Sequence, residues 1–210
     1  KPIAFSFRST DEEHKLYTAI SDFLRREEAF SLPTSQRQLV SLILRKLLAS
    51  SSHALAGTLE TMRDRLLRLK EGIEESKDFV ADIVDQEELE YDILDEMDDN
   101  GAEAAEEQGE AGIDLEALDA EIRELEHYIA WARSIGVDTK TRTLLKAIET
   151  GFNAMQEMGA LQKALIFTES RKTQNYLRNF LEANGHAGKV VVFNGTNSGP
   201  EAKRIYEDWL

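Results

Sequence analysis

Side chains that suit phosphate binding follow two short apolar runs near the C-terminal end of this chain. The runs are 164–168 and 190–193, and the polar residues at their ends are Thr168, Ser170, Arg171 and Lys172 after the first, and Asn194 and Gly195 after the second. Hydroxyls, amide groups and the free N–H groups at the start of a helix all donate hydrogen bonds to phosphate oxygens. These six residues are therefore candidates for binding a phosphate-bearing ligand.

The same residue types have an ordinary structural use. Thr168 and Ser170 are common caps for a following helix, and Asn194-Gly195 is a common turn. From the residues alone, phosphate contact and capping are both open interpretations.

A second group of candidate residues is basic. Arg45 and Lys46 lie near the end of the second predicted helix, and Arg65 and Arg68 are three residues apart on the third. One interpretation is a solvated helix face. The other is a groove that contacts the phosphates of duplex DNA.

The apolar runs themselves predict strands. Both are too short for a helix and lack alternation, a pattern typical of parallel strands that are covered on both faces. An amphipathic helix over 171–184, ended by Gly185, connects them, and a last helix is predicted from Pro200. We expect a strand–helix–strand unit with a parallel sheet.

The remainder of the chain predicts helices with clear start signals. Capping boxes at Thr10 and Ser35 predict a helix to about Phe30 and a second helix after it. Further helix starts are predicted at Ser52, Asp114 and Asp138, and Gly136 and Gly159 end the last two. An apolar stripe continues from the third helix to Met97, and 98–113 is predicted to be a flexible tip, so we expect an antiparallel helical hairpin. The predicted fold class is mainly α with a partial α/β end.

The negative charge is concentrated in one part of the chain. Of 40 acidic residues, 24 lie between Glu71 and Glu126 with only Lys77 and Arg123, so this stretch carries −22 and the remainder +7, within a formal net charge of −15. A surface that binds DNA must belong to the basic remainder, because DNA itself is densely negative.

The amino-acid sequence of the C-terminal segment is similar to sequences of a known family. The stretch 163–173 (Lys-Ala-Leu-Ile-Phe-Thr-Glu-Ser-Arg-Lys-Thr), then Tyr176-Leu177 and 191–195, resembles the opening of the second RecA-like lobe of superfamily-two helicases, and most of all the Snf-type (sucrose-non-fermenting) DNA translocases. Leu16-Tyr17, 45–51 and 138–140 also resemble sequences between the lobes of those proteins.

The resemblance implies a domain plan and a function. Residues 1–135 would form a helical inter-lobe region with an acidic hairpin arm, and 136–210 a partial second lobe whose loops contact the DNA backbone. The parent enzyme would use ATP and Mg²⁺ to move along DNA. Nothing here matches the Gly-x-x-x-x-Gly-Lys-Ser/Thr loop, so we expect a fragment with no catalytic residues and no ATPase activity of its own.

A different class of protein also agrees with these sequence features: an acidic helical-hairpin module that binds a protein partner or mimics DNA. Neither alternative involves a membrane, because no run approaches the roughly 20 apolar residues of a spanning helix. The chain has no cysteine, and its four histidines lack metal-ligand spacing, so no metal site is predicted and a cytoplasmic location is expected. The edge of a truncated sheet would favour self-association.

Overall fold

The computed structural model describes residues 4–26, 28–32, 37–72, 114–168, 170–194 and 199–209, and these residues are mainly helical. In chain order the helices are α1 (Asp11–Phe23), α2 (Arg37–Ser50), α3 (Ser52–Lys70), α4 (Leu115–Ser134), α5 (Thr139–Glu157), α6 (Arg171–Leu181) and α7 (Pro200–Trp209). None of the described helices combines the length with the apolar composition that crossing a bilayer requires.

Side-chain caps fix where the helices begin. Thr10 and Glu13 form the predicted capping box at α1, with both bonds present, at 2.8 and 3.2 Å. Asp114 caps α4 and Asp138 caps α5, as the sequence predicted. The cap of α3 is Ser51, one residue before the predicted Ser52. Each cap satisfies N–H groups that have no partner within the helix.

The core lies among the first four helices. Helices α3 and α4 pack antiparallel. Lys70, at the C-terminal end of α3, pairs with Asp119 near the start of α4 at 2.6 Å, and Glu60, in the middle of α3, pairs with Arg133 near the end of α4. The predicted antiparallel pairing is thus found in the described parts of these two helices. Burying a large apolar side chain stabilises a fold by roughly 1.5–3 kcal/mol, and the largest fully buried ones include Phe23, Ile43, Leu59, Met62, Leu66, Leu118 and Leu125.

Helix α1 ends at Phe23, earlier than the predicted end near Phe30. The reason is tertiary. The buried carboxylate of Glu121 accepts hydrogen bonds from the N–H groups of Phe30 and Ser31, at 2.8 and 2.9 Å, and from the Ser31 hydroxyl. A continued helix would need those N–H groups for its own bonds, so the chain leaves the helix and is held by α4.

The predicted parallel sheet is not supported. Neither 164–168 nor 190–193 lies in a strand, so the α/β part of the predicted fold class is corrected while the mainly α part is confirmed. Parallel strands need helices on both faces, and a two-stranded pair is marginal even when it forms. Here Leu165 is 70% exposed and Phe167 is 89% exposed, so the covering that would favour a buried strand is missing.

The helix between the two apolar runs, α6, ends earlier than the sequence predicts. Helix α6 stops at Leu181, three residues before the predicted end, and a π-helical turn at Glu182–His186 follows. Gly185 in this turn has a φ of 94°, a conformation that side chains with a Cβ rarely adopt. Helix α7 begins at Pro200, as predicted.

Candidate phosphate-binding cleft

A cleft of about 530 Å³ lies where the N-terminal ends of α3, α5 and α6 approach the C-terminal half of α2. Its polar lining consists of two lysines and five hydroxyl side chains: Lys46, Lys140, Ser51, Thr141, Thr143, Thr168 and Thr173. Its apolar lining consists of Phe5, Phe7, Leu144, Ala147, Ile166, Phe167 and Leu177. The lining therefore joins residues of 5–51 with residues of 140–177, which are distant in sequence.

The lysines give the cleft its positive charge. Lys46 is half-buried on α2, and Lys140 is exposed in the first turn of α5. Each is an ammonium group with three N–H donors, which contacts phosphate as a point charge. Two such groups lining one concave surface attract an anion more strongly than isolated surface lysines do.

The N-termini of α3 and α6, which have uncharged caps, add partial positive charge to the same place, whereas the N-terminus of α5 has a carboxylate cap that compensates it. Ser51 caps α3 through the N–H of Ala54 at 3.1 Å, and Ser170 caps α6 through the N–H of Thr173 at 3.4 Å. Asp138 caps α5 through the N–H of Thr141 at 2.7 Å. A helix N-terminus carries about half a positive charge, which favours anions.

A smaller pocket of about 370 Å³ adjoins the cleft and shares Phe7, Ser51 and Lys140 with it. It contains the acidic side chains Glu13 and Asp138. Asp138 is only 6% exposed, and its Oδ2 atom makes no hydrogen bond. The charge around Lys140 is therefore positive on the side of the cleft and negative on the side of this pocket.

A ring stack holds α6 against α3 beside the cleft. His53 and Tyr176 lie with ring centroids 5.0 Å apart and planes 15° from parallel. Burial raises the pKa of Tyr176, and the nearby Asp138 raises it further. The Tyr176 hydroxyl is buried and has no hydrogen-bond partner among the described residues.

Of the residues predicted from the C-terminal segment, Thr168 lines the cleft, where its hydroxyl donates to the Ser170 carbonyl at 2.9 Å. Ser170 is buried and acts as a cap, so its structural interpretation is confirmed. Arg171 and Lys172 lie half-buried in the first turn of α6, and Asn194 is also half-buried. Gly195 lies outside the described residues.

The structure separates the four residues of the predicted basic patch. Lys46 lines the cleft, whereas Arg45 and Arg68 are exposed and do not line it. Arg65 is half-buried and donates a hydrogen bond to the Phe30 carbonyl in the loop after α1. Arg65 thus has a structural contact, and contact of the patch with DNA stays a prediction.

Sequence reasoning missed Lys140, Thr141 and Thr173 as site residues. The signal was present for the first two, because a capping Asp138 places Lys140 and Thr141 in the first turn of α5, a position where anion-binding residues are common. Nothing in the sequence indicated that Lys46, on α2, lines the same cleft as this turn.

Comparison of the chain with protein-family models, with curated proteins and with solved structures yields no match. Within the described ranges, no three ligating side chains come together as a metal site would require.

Proposed function

We propose that this chain is a DNA-binding part of an ATP-dependent translocase of the Snf type and that it holds the phosphodiester backbone in the cleft of Lys46 and Lys140. One observation carries the proposal: Lys46, Lys140 and the Ser51 hydroxyl line one concave surface beside the N-termini of α3 and α6. Such donors position a nucleic-acid backbone without recognising its sequence.

The charge distribution supports the proposal. The stretch from Glu71 to Glu126 carries −22, and the remainder, which includes every residue of the cleft, carries +7. The positive part of the chain is therefore the part that contains the concave site, as attraction to a polyanion requires.

The finer assignment rests on the sequence resemblance alone. Residues 136–210 would correspond to the start of the second lobe by sequence only, because 164–168 and 190–193 do not form its strands, and ATP and Mg²⁺ would be bound by other parts of the parent enzyme. The chain has no Gly-x-x-x-x-Gly-Lys-Ser/Thr sequence of the kind that binds the phosphates of ATP. The contribution of this chain is backbone binding, which needs neither a sheet nor nucleotide.

Fluorescence anisotropy with a labelled short DNA duplex at low ionic strength tests the proposal. We expect weak binding that falls steeply with salt, with a log–log slope that decreases by about 0.9 for each lost phosphate contact. Lys46→Ala and Lys140→Ala should each weaken binding and reduce the slope. Lys146→Ala removes an exposed lysine of α5 that does not line the cleft, so it is the matched control. Equal effects of Lys140→Ala and Lys146→Ala would contradict the proposal.

A second candidate function is protein binding or DNA mimicry by the acidic hairpin. The antiparallel pairing of α3 and α4 favours it, because the residues between these helices, 71–114, contain 19 acidic residues and one lysine. Deleting 87–112 should raise DNA affinity beyond the general effect of charge if this segment competes with DNA. Unchanged affinity would indicate a passive arm.

A further inference from the structure

The cleft is less polar than a site for phosphate alone requires. Seven of its fourteen lining residues are apolar, and three of them are phenylalanines: Phe5, Phe7 and Phe167. Phosphate is recognised by N–H and O–H donors and gains nothing from hydrocarbon. A ligand that matches the whole lining must bring an apolar surface together with its negative charge.

The exposure of the aromatic rings is also unusual. Phe167 is 89% exposed and Phe7 is 46% exposed, although phenylalanine is among the residues most often buried. Both line the cleft that contains Lys46 and Lys140. Exposed rings beside cations in one groove are the combination with which proteins bind unpaired nucleotides, since bases stack on the rings while the cations contact the backbone.

A base can use such a ring only if its face is accessible. In a duplex both faces of each base are covered by the neighbouring base pairs, so a ring in a protein groove meets only the backbone and the base edges. In a single strand the bases can separate and stack on aromatic side chains. The volume of about 530 Å³ lies within the range of small-ligand pockets, which suits one or two nucleotide units rather than a helix.

We infer that the cleft binds single-stranded nucleic acid, with phosphate at Lys46 and Lys140 and an unpaired base against Phe167 and Phe7. The inference rests on the proposed function and narrows it, because backbone contact alone makes no distinction between paired and unpaired strands.

The experiment compares three labelled ligands of equal length with the full chain: an oligothymidylate, an abasic oligomer with the same phosphates, and a duplex. Stacking contributes about 1–3 kcal/mol per base, which corresponds to about 5- to 150-fold in affinity. We expect the oligothymidylate to bind at least about 5-fold more tightly than the abasic oligomer. Equal affinities would overturn the inference.

Variants connect this preference to the cleft. Phe167→Leu keeps an apolar side chain but removes the flat ring, so it should reduce the preference for oligothymidylate over the abasic oligomer. Phe193→Leu is the matched control, because Phe193 is 40% exposed and does not line the cleft. Both positions are exposed enough for the fold to tolerate leucine, which circular dichroism verifies.

The two proposals fail in different ways. If the lysine variants weaken binding to all three ligands while Phe167→Leu changes nothing, backbone binding stands and base stacking is wrong. If the lysine variants bind as the unchanged chain does, the phosphate role is wrong. Absence of binding to every ligand at low ionic strength overturns both.

Discussion

Glu13, in the first turn of α1, accepts hydrogen bonds from both the backbone N–H and the hydroxyl of Thr139, the first residue of α5. The distances from its Oε1 atom are 2.7 and 3.0 Å, and the second carboxylate oxygen also accepts from the Thr10 N–H at 2.8 Å. Glu13 and Thr139 are 126 residues apart in the sequence, so one carboxylate caps the N-termini of two helices that are distant along the chain. Since Lys140 follows Thr139 directly, this contact positions one of the two lysines of the cleft.

Replacing Glu13 with alanine should therefore affect both stability and binding. Loss of a capping interaction and of hydrogen bonds to a charged group costs about 1–3 kcal/mol of unfolding free energy. Urea denaturation measures this loss, and anisotropy should show weaker DNA binding at a temperature where the variant is folded. Glu12→Ala, an exposed neighbour on the same helix turn, should change neither. Equal behaviour of the two variants would show that the link to Thr139 is unimportant.

Glu121→Ala should be the most destabilising acidic substitution on α4. Its carboxylate is buried and accepts three hydrogen bonds from Phe30 and Ser31, which alanine would leave without an acceptor. We expect a loss of about 2–5 kcal/mol, because buried unsatisfied donors keep their desolvation cost. Glu121→Gln retains an acceptor oxygen and should lose less.

The control for this prediction is Glu126→Ala, an exposed position on the same helix. Thermal denaturation of Glu121→Ala, Glu121→Gln and Glu126→Ala measures the order of their stabilities. A Glu121→Ala variant as stable as Glu126→Ala would mean that the loop after α1 does not depend on its contact with α4.

Arg65 and Arg68 should respond differently although both belong to the predicted basic patch. Arg65 bonds the Phe30 carbonyl, so Arg65→Ala should lower the unfolding free energy by about 1–3 kcal/mol. Arg68 is exposed, and Arg68→Ala should lie within about 0.5 kcal/mol of the unchanged chain. The urea concentrations at the midpoints of unfolding measure this difference between the two variants. If Arg65→Ala instead weakens DNA binding without any loss of stability, the basic-patch interpretation is favoured.

The stability of the helical core should depend on pH through Glu124 and Tyr128. Burial raises the pKa of Glu124, but hydrogen bonds from Arg26, at 2.5 and 2.7 Å, and from Tyr128 outweigh it and lower the pKa below its ordinary value of 4.5. This contribution to stability is present above about pH 4.5 and is lost as the pH falls through the lowered pKa.

At alkaline pH the effect is the opposite: stability is lost as the pH rises. Burial, together with the hydrogen bond to Glu124, raises the pKa of Tyr128 from 10.0 to about 12. Its contribution is therefore complete below pH 10 and is lost as the pH rises toward 12. Tyr128→Phe should lower stability at neutral pH by about 1 kcal/mol and remove part of the alkaline loss. A pH series of urea midpoints tests both, and an unchanged alkaline slope in the variant would exclude Tyr128 as its source.

Local sequence determined most of the helix boundaries, because a cap needs only a side chain and the N–H groups two or three residues later. Thr10, Asp114 and Asp138 cap the helices that they were expected to cap, and α7 begins at Pro200. The apolar spacing of α3 and α4 likewise sufficed to predict that they pack on one another, since each must bury one face.

Tertiary contacts decided the rest. The loop after α1 is held at Phe30 and Ser31 by Glu121, a residue that is distant in sequence. The predicted strands did not form because a strand needs hydrogen-bonded neighbours and covered faces that its own residues do not supply. The cleft depends on the approach of Lys46 to Lys140 and Thr168. The sequence contained the residues that can bind phosphate, and only the packing of α2, α3, α5 and α6 selected which of them line one surface, because spacing along a chain carries no distances between separate helices.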